Sequence, residues 1–356
     1  MRIEVDCERI RRNAEAILEM CAPHSIEVVG VTKGCWGHPE VARAMLAGGA
    51  SKLGDSRLKN VQRMRDAGID APVLLLRLPE QSKADEVLSL TQMSLNSEVE
   101  TVRVLSRAAV KRGLAHQVIL MVEVGDRREG VMPEQALDTA RAMLGLPGID
   151  LVGIGANTSC IGGVLPTKKN MQLLVDVAES VESALGIKFR IVSGGHSGNL
   201  NLVGRDEHPS RINQLRIGEA ILRGEEVRSH YPLPCPYQNA FKVKAEVIEL
   251  KTKPSLPEGP TAIDTLGRRP HFEDRGLRLR AILAIGWQDL RIDGLTPERP
   301  GAILVGASSD HMVLDVTEAD PPVHLGEELE FAPSYAALTA AMANMGVTKV
   351  VKPIAP

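Results

Sequence analysis

The sequence predicts an α/β fold made of an eight-stranded parallel barrel, the (β/α)8 or TIM type, followed by a smaller and mostly antiparallel β domain. In residues 1–230, short apolar segments rich in β-branched residues alternate with segments of helical periodicity. A proline-rich joint at Tyr231–Tyr237 interrupts this pattern, and beyond it apolar and polar residues alternate with a period of two. We therefore assign the barrel to residues 1–230 and the β domain to residues 231–356.

Eight successive βα units predict the barrel. Asp6 is placed to cap a first helix, on which Ile10, Ala14 and Ile17 share one face. The predicted strands lie at 26–33, 52–55, 72–78, 93–96, 117–124, 150–156, 189–193 and 213–217. Helical periodicity follows most of them, as at 98–112, 134–143 and 168–185. Eight buried strands that alternate with helices favour a closed barrel, and a doubly wound open sheet is the alternative.

The composition is that of a globular protein, with 356 residues, 44% hydrophobic residues and a formal net charge of −3. Lys and Arg form no long cluster, which excludes a nucleic-acid footprint and a polybasic membrane patch. The five cysteines include no CxxC pair, and the sequence has neither a signal peptide nor an apolar run of transmembrane length. We expect a cytoplasmic enzyme that acts on a small molecule.

A lysine lies at the predicted mouth of the barrel, where active sites of this fold are found. Strand seven is followed by the glycine-rich segment Ser193–Gly198, and strand eight by Gly218. Both segments can bring backbone N–H groups to a phosphate. Strand one, the neighbour of strand eight in a closed barrel, ends at Lys33. Desolvation there lowers the pKa of the amine, as Schiff-base chemistry requires, so the combination suggests pyridoxal phosphate.

Eight segments, in chain order, match one group of enzymes. They are VTKGCWGHPE from Val31, LGDSRLKN from Leu53, VEVGDRREG from Val122, GIGANTSCIGG from Gly153, SGGHSGNL from Ser193, INQLRIGEAILRG from Ile212, RAILAIGWQDL from Arg280 and LVGASSDHMVLDV from Leu304. Through them the sequence resembles the fold-type III pyridoxal-phosphate enzymes headed by alanine racemase, and among these the ornithine racemase-like amino acid racemases. The matches cover nearly the whole chain. The resemblance implies an enzyme that interconverts L and D amino acids.

The resemblance also implies a set of cofactor-binding residues. Lys33 matches the lysine that holds pyridoxal 5'-phosphate as a Schiff base and moves a proton on one face of the substrate. Arg216 matches the arginine that faces the pyridine nitrogen. Ser197, with the backbone of Gly195, Gly218 and Glu219, matches the phosphate cradle. We add Asp55, Asn157 and His196 to the candidate cofactor-binding residues from their places at the mouth; Asp55 is also placed to cap the helix after it.

Further residues are implied at the substrate. Arg128 matches the arginine beside the substrate carboxylate, and Met121 stands where alanine racemases often carry a carbamylated lysine. That modification is therefore expected to be absent. Ser309 and Asp310 match a pair that a partner subunit contributes, so the resemblance implies a head-to-tail homodimer with shared active sites.

The residue that moves a proton on the second face is left open. In alanine racemase it is a tyrosine from the partner's β domain, and the matching position here is Ile285, which cannot move a proton. The candidates are Cys160 and His196 in the barrel and the Ser309–His311 loop in the second domain. We favour Cys160, because a thiol that follows a strand at the mouth can lose its proton near the cofactor.

The substrate implied by the resemblance is ornithine or another basic amino acid such as lysine. Asp55, Asp126 and Asp310 can each receive a side-chain ammonium, whereas His196 replaces an expected asparagine and puts the specificity in question. There are two alternatives to a racemase. One is an amino acid decarboxylase or aldolase of the same fold, and the other is a non-catalytic protein that carries the cofactor. The second domain argues against a carrier, because such a domain closes the site over a substrate.

Overall fold

The structure is a computed structural model that describes residues 1–226, 228–263, 267, 269 and 271–354. It contains two compact units. The first comprises Cys7–Gln238, and the second comprises Met1–Asp6 with Asn239–Lys352. Among the helices in the described ranges, none is long and apolar enough to cross a membrane.

The strands and helices of the described residues are numbered here in chain order. The strands are Arg2–Asp6 (β1), Glu27–Val31 (β2), Lys52–Asp55 (β3), Val73–Leu75 (β4), Met93–Asn96 (β5), His116–Met121 (β6), Ile149–Gly155 (β7), Ile191–Ser193 (β8), Gln214–Ile217 (β9), Phe241–Pro254 (β10), Leu277–Leu283 (β11), Leu295–Pro297 (β12), Ile303–Ala307 (β13), Met312–Asp315 (β14), Glu328–Pro333 (β15) and Thr348–Lys352 (β16). The α-helices are Cys7–Cys21 (α1), Pro39–Ala47 (α2), Leu58–Asp66 (α3), Ala84–Leu90 (α4), Val99–Arg112 (α5), Ala136–Leu144 (α6), Lys168–Leu185 (α7), Leu200–Gly204 (α8), Glu219–Arg223 (α9) and Tyr335–Ala343 (α10).

Strands β2 to β9 form a closed barrel of parallel strands. The barrel closes where β9 pairs with β2, with Glu27 opposite Gln214 and Gly30 opposite Ile217. The predicted fold class is therefore confirmed, and each of the eight predicted strands overlaps one barrel strand. Closure makes β8, β9 and β2 consecutive neighbours, which brings the loops after these three strands to the same part of the mouth.

The barrel strands are buried on both faces. Val29, Leu74 and Ile119 belong to an apolar cluster that the strands share among themselves. Leu120 and Ile154 belong to a second cluster, which also contains residues of α6 and α7. Strands packed on both sides are near-continuous apolar runs, which is the pattern of the sequence in this region.

Local signals set the ends of the long barrel helices. Helix α7 begins after Thr167, whose hydroxyl accepts a hydrogen bond from the backbone N–H of Asn170 in a capping box. It ends at Gly186, with a φ of 66° in the left-handed region that favours glycine. Helix α5 ends in the same way at Gly113. These signals explain why both helices are predicted almost to the residue.

The second unit is built on a predominantly antiparallel sheet. Its main strand order is β12-β15-β10-β11-β14-β13, and β1 pairs with β10 and with β16. The sequence predicts no strand before the first helix, and β1 corrects this expectation. Ile3 and Val5 are buried, whereas Arg2 and Glu4 are partly exposed, so β1 does have a period of two. It was missed because five residues carry a weak pattern and its partners are distant in the chain.

Candidate active site

Lys33 begins a short 3-10 turn, Lys33–Cys35, immediately after β2. The N–H of Trp36 donates to the Lys33 carbonyl at 3.2 Å and closes the turn. Lys33 is exposed as a residue, yet desolvation by the surrounding protein lowers the pKa of its amine. Arg128 and Arg216 act in the same direction as desolvation. A larger fraction of this amine is therefore neutral, which is the form that attacks a carbonyl carbon.

Asp55 ends β3 beside this turn and is fully buried. Its Oδ2 accepts the hydroxyl hydrogen of Thr32 at 2.7 Å. Its Oδ1 accepts from the backbone N–H of Arg57 and from the side-chain amide of Asn60, both at 2.9 Å. Burial raises the pKa of Asp55, and these donors oppose the shift. Both oxygens are engaged, so the carboxylate anchors the residue before Lys33.

Arg216 lies at the end of β9 and is almost fully buried. Its guanidinium donates to Ser193 Oγ at 2.5 Å and to the carbonyl of Ala156 at 2.8 Å, and it reaches Asn157 Oδ1 at 3.4 Å. Desolvation lowers the pKa of Arg216 to about 10, with Glu129 opposing the shift. These bonds fix the guanidinium between the ends of β7 and β8.

The segment after β8 and the start of α9 form a candidate phosphate cradle. The Ser197 hydroxyl oxygen accepts from the backbone N–H of Ala220 at 3.2 Å, which joins the two segments. Gly195 has a φ of 120°, and a Cβ there would lie 3.0 Å from Asn199 Nδ2. A Cβ on Gly218 would lie 3.1 Å from the Val31 carbonyl. The positive φ favours glycine at position 195, and the tight packing favours it at position 218. Glycines of this kind let a backbone approach an anion closely.

His196 has a bracing contact within this cradle. Its Nδ1 accepts from the backbone N–H of Gly198 at 3.0 Å, and its Nε2 lies 3.4 Å from Thr158 Oγ1. Desolvation lowers the pKa of His196 to about 3, and the nearby charges of Arg228 and Arg216 add to the effect. The imidazole is therefore neutral at pH 7 and holds the loop after β8 in place.

Glu219, the first residue of α9, is buried and pairs with two cations. Arg228 donates to its Oε2, and the guanidinium of Arg223 lies 3.7 Å from its Oε1. The side chain of Glu219 is thus committed to these arginines. Any role toward an anion falls to its backbone N–H group at the start of the helix.

Arg128 lies on a tightly closed loop after β6. The Glu123 carboxylate accepts from the backbone N–H groups of Gly125 and Arg128, at 2.6 and 3.0 Å. The ends of the loop meet in a β-bridge between Val122 and Val131. The guanidinium of Arg128 forms a bidentate ion pair with Glu129. Glu129 was not among the residues singled out from the sequence, although it lies within the VEVGDRREG segment.

Asp126, on the same loop, is buried and binds the loop after β7. Its carboxylate accepts from the backbone N–H groups of Cys160 and Ile161, at 3.2 and 3.1 Å, and from Val164 at 3.3 Å. The Asp126 carboxylate is therefore already engaged by the backbone of the loop after β7, and its role as a receiver of a substrate ammonium stays a prediction. Its contacts place the exposed thiol of Cys160, which accepts from Asn157 Nδ2 at 3.0 Å.

Ser309 and Asp310 belong to the second unit. They lie in the turn between β13 and β14, which is closed by a hydrogen bond of 2.8 Å from the N–H of Ser308 to the His311 carbonyl. A Cβ on Gly286 would lie 2.1 Å from the Ser309 carbonyl, so glycine is required there. Ile285, beside it, is fully buried. This turn holds the carboxylate of Asp310 at the exposed end of its hairpin.

The site of the first unit thus brings together Lys33, Arg128, Arg216, Asn157, Cys160 and the cradle around Ser197. Contacts of 3.4 and 3.0 Å join Arg216 to Asn157 and Asn157 to Cys160, and the charges of Arg128 and Arg216 lower the pKa of Lys33. Over the described ranges, the structure contains no group of three His, Cys, Asp or Glu side chains arranged to hold a metal ion. Fold and site together are those of an α/β barrel with a lysine of lowered pKa at its mouth.

Comparison with known proteins identifies the family. The alanine racemase N-terminal domain family matches residues 5–225. The lysine racemase of Thermotoga maritima is 39% identical over 99% of this chain and 98% of its own length. The ornithine racemase of Acetoanaerobium sticklandii is 33% identical over 95% of each chain. Alanine racemase of Clostridium difficile 630 has the same fold, with a TM-score of 0.72 and 19% identity over 99% of this chain and 95% of that one. The chain belongs to the alanine racemase family.

Proposed function

We propose that the chain is a pyridoxal-phosphate-dependent racemase that interconverts the enantiomers of a basic amino acid, lysine or ornithine. The observation that carries the proposal is Lys33, an amine of lowered pKa at the barrel mouth beside a phosphate cradle. The names of the two relatives that align over nearly the whole chain support the reaction and the substrate class. Residues 7–238 would act as the cofactor-binding barrel.

The residues present fit the cofactor. The close packing at Gly195 and Gly218, together with the Ser197 hydroxyl, suits a phosphate at the start of α9. Arg216 would face the pyridine nitrogen, with Asn157 beside it. Asp55 and His196 would act indirectly, by holding Thr32 and the loop after β8. When bound, pyridoxal phosphate supplies a carbonyl carbon for the substrate amine and an electron sink for the α-carbanion.

The chain's own residues would then manage the protons. Lys33 would take the α-proton on one face of the substrate or return it. Arg216 cannot accept a proton, and its charge opposes protonation of a ring nitrogen beside it. Arg128 would orient the substrate by binding its α-carboxylate.

For the second face we propose Cys160 as the proton-transfer residue. Its thiol is exposed and accepts a hydrogen bond from the side-chain amide of Asn157, whose Oδ1 lies 3.4 Å from the guanidinium of Arg216. His196 suits the role less well, because its Nδ1 is already occupied and its pKa is lowered to about 3. The Ser309–His311 turn of a partner subunit is the alternative source of the proton-transfer residue.

The proposal includes a cytoplasmic homodimer with shared active sites, in which Ser309 and Asp310 of one protomer reach the barrel of the other. Co-expression of Lys33→Ala with Asp310→Ala tests it. Mixed dimers would regain activity that neither variant has by itself. Absence of recovery, with mixed dimers demonstrated, would place the two residues outside the active site.

The function is tested by incubating the purified, cofactor-loaded protein with L-lysine, L-ornithine and L-alanine and following both enantiomers by chiral chromatography. We expect racemisation of a basic amino acid without release of carbon dioxide. Borohydride reduction should attach the cofactor to Lys33, as read by peptide mass, and Lys33→Ala should abolish both the attachment and the activity while the protein stays folded. Attachment at another lysine, or decarboxylation in place of racemisation, would overturn the proposal.

A further inference from the structure

The carboxylates of the mouth loops differ in how their oxygens are used. Asp55, Asp126 and Glu123 accept hydrogen bonds from N–H and hydroxyl donors that hold the chain itself in place. Glu129 is different. In the described part of the chain, its hydrogen bonds run to the guanidinium of Arg128, the residue proposed to bind the substrate carboxylate. Glu129 is thus a carboxylate whose partner would be taken by the substrate.

The position of Glu129 is fixed by the loop that carries it. The next residue, Gly130, has a φ of 129°, and a Cβ there would lie 2.8 Å from the Glu123 backbone nitrogen. The bridge between Val122 and Val131 and the Glu123 carboxylate close the rest of the loop. The Glu129 side chain is 13% exposed, so it is held in a largely desolvated place.

The charge of Glu129 also reaches into the site. It opposes the fall in the pKa of the buried Arg216, and it raises the pKa of Arg128. The carboxylate therefore lies within electrostatic range of both arginines of the mouth.

We propose that Glu129 selects basic substrates by an exchange of ion pairs, an inference that rests on the proposed function. The substrate α-carboxylate replaces Glu129 on Arg128, and the side-chain ammonium of the substrate replaces Arg128 on Glu129. Each charge keeps a partner when the substrate is lysine or ornithine. A neutral amino acid takes Arg128 but leaves a largely desolvated carboxylate unpaired, which disfavours its binding relative to that of a basic amino acid.

The test compares L-lysine with L-norleucine, which has the same carbon chain without the ammonium. For Glu129→Gln we expect kcat/KM for lysine to fall about 10- to 100-fold, as for loss of a charged hydrogen bond, while norleucine is unchanged or improved. Glu129→Asp keeps the charge but withdraws it by one methylene. This variant should shift the preference between the two basic substrates toward lysine, whose side chain is longer than that of ornithine.

Glu134→Gln is the matched control, because Glu134 is an exposed carboxylate shortly after the same loop. It should keep the parental ratio of lysine to norleucine. If Glu129→Gln lowers kcat/KM for both substrates by the same factor, Glu129 only positions Arg128 and the inference is wrong. If Glu129→Gln does not fold, an unchanged ratio of lysine to ornithine in Glu129→Asp is the contradicting result. Failure of the parental enzyme to racemise any basic amino acid would instead overturn the proposed function.

Discussion

Thr32 donates its hydroxyl hydrogen to Asp55 across neighbouring barrel strands, with 2.7 Å between Oγ1 and Oδ2. Thr32 immediately precedes Lys33, and Asp55 is the last residue of β3. This buried side-chain hydrogen bond, together with the one from the Thr32 backbone N–H to the Gly54 carbonyl at 2.9 Å, connects the turn that carries the lysine to the end of the next strand. The same carboxylate binds the N–H of Arg57 and the amide of Asn60 at the start of α3. The position of the amine depends on this whole junction.

Thr32→Val should loosen the lysine as well as the fold. The substitution keeps the side-chain shape and removes one donor to a buried carboxylate, so we expect a loss of about 1–3 kcal/mol in the free energy of unfolding. We also expect slower attachment of the cofactor to Lys33, measured by absorbance after mixing with pyridoxal phosphate. Thr91→Val is the control: Thr91 is buried and donates to the Val87 carbonyl at 2.7 Å. Equal slowing in both variants would contradict a specific role for Thr32.

Arg216→Glu should change what the cofactor-loaded enzyme does with the α-carbanion. A carboxylate at this position can hold a proton on the pyridine nitrogen, which strengthens the electron sink and allows protonation away from Cα. Transamination should rise relative to racemisation by on the order of tenfold, which is the effect of raising the pKa of the pyridine nitrogen by one unit. The measurement is keto acid formed per racemisation event, with Arg216→Lys as a variant that keeps the charge. The same ratio in parent and Arg216→Glu would count against an arginine facing the ring.

Cys160→Ala should separate the two faces of the substrate. Lys33 would still exchange the α-proton of one enantiomer with solvent, while exchange from the other would fall about 100-fold or more, as for loss of a general acid or base. Single-turnover exchange in D2O, followed by mass spectrometry for each enantiomer, measures this. Cys235→Ala is the thiol control. The sulfur of Cys235 lies 3.9 Å from the backbone carbonyl oxygens of Asn13 and Ala220, so these contacts are with helices and not with Lys33, Arg128 or Arg216. Parental exchange from both enantiomers would make Cys160 structural and direct attention to the Ser309–His311 turn.

His116 should contribute to acid sensitivity of the fold. It is buried, with Nε2 2.8 Å from Ser94 Oγ, and desolvation lowers the pKa of His116 to about 4 from an ordinary value of 6.5. The unfolded chain therefore binds a proton between these values that the folded chain does not, so stability falls as the pH drops. The shift corresponds to about 2–3 kcal/mol lost between pH 7 and pH 4. Urea unfolding at both pH values measures the loss in the free energy of unfolding. This loss should be smaller in His116→Asn than in the parent. In the control His271→Gln, which changes an exposed histidine, it should equal that of the parent.

The barrel could be predicted because its signals are local. Each signal lies within a short stretch of sequence. They are the apolar strands, the capping box at Thr167 and the glycines after α5 and α7. Strand β1 could not be predicted in this way, because it is stabilised by pairing with β10 and β16, which are distant in the sequence. Helix α10, with the sequence YAALTAAMA, is apolar on nearly every face and offers no amphipathic stripe.

The candidate site divides in the same manner. Lys33 and the loops after β8 and β9 were predictable, because barrel closure alone makes their strands neighbours. The use of each carboxylate was not, since it depends on which donors reach it in three dimensions. The Asp126 carboxylate accepts hydrogen bonds from backbone N–H groups of the loop after β7, whereas the Glu129 carboxylate forms an ion pair with Arg128. Sequence spacing around VEVGDRREG does not distinguish these two outcomes.

Strand β1 has a consequence for how the polypeptide matures on the ribosome. Its parallel partner is β16, with Ile3 opposite Lys349 and Val5 opposite Val351. Residues 2–6 are synthesised before every barrel residue, and residues 348–352 after all of them. The barrel can therefore form its local strand pairs during translation, while the pairing of β1 with β16 waits until residues 348–352 have been made. Until then β1 has β10 as a partner but not β16, so a change in residues 2–6 and a change in residues 348–352 disturb the same late step in forming the sheet of the second unit.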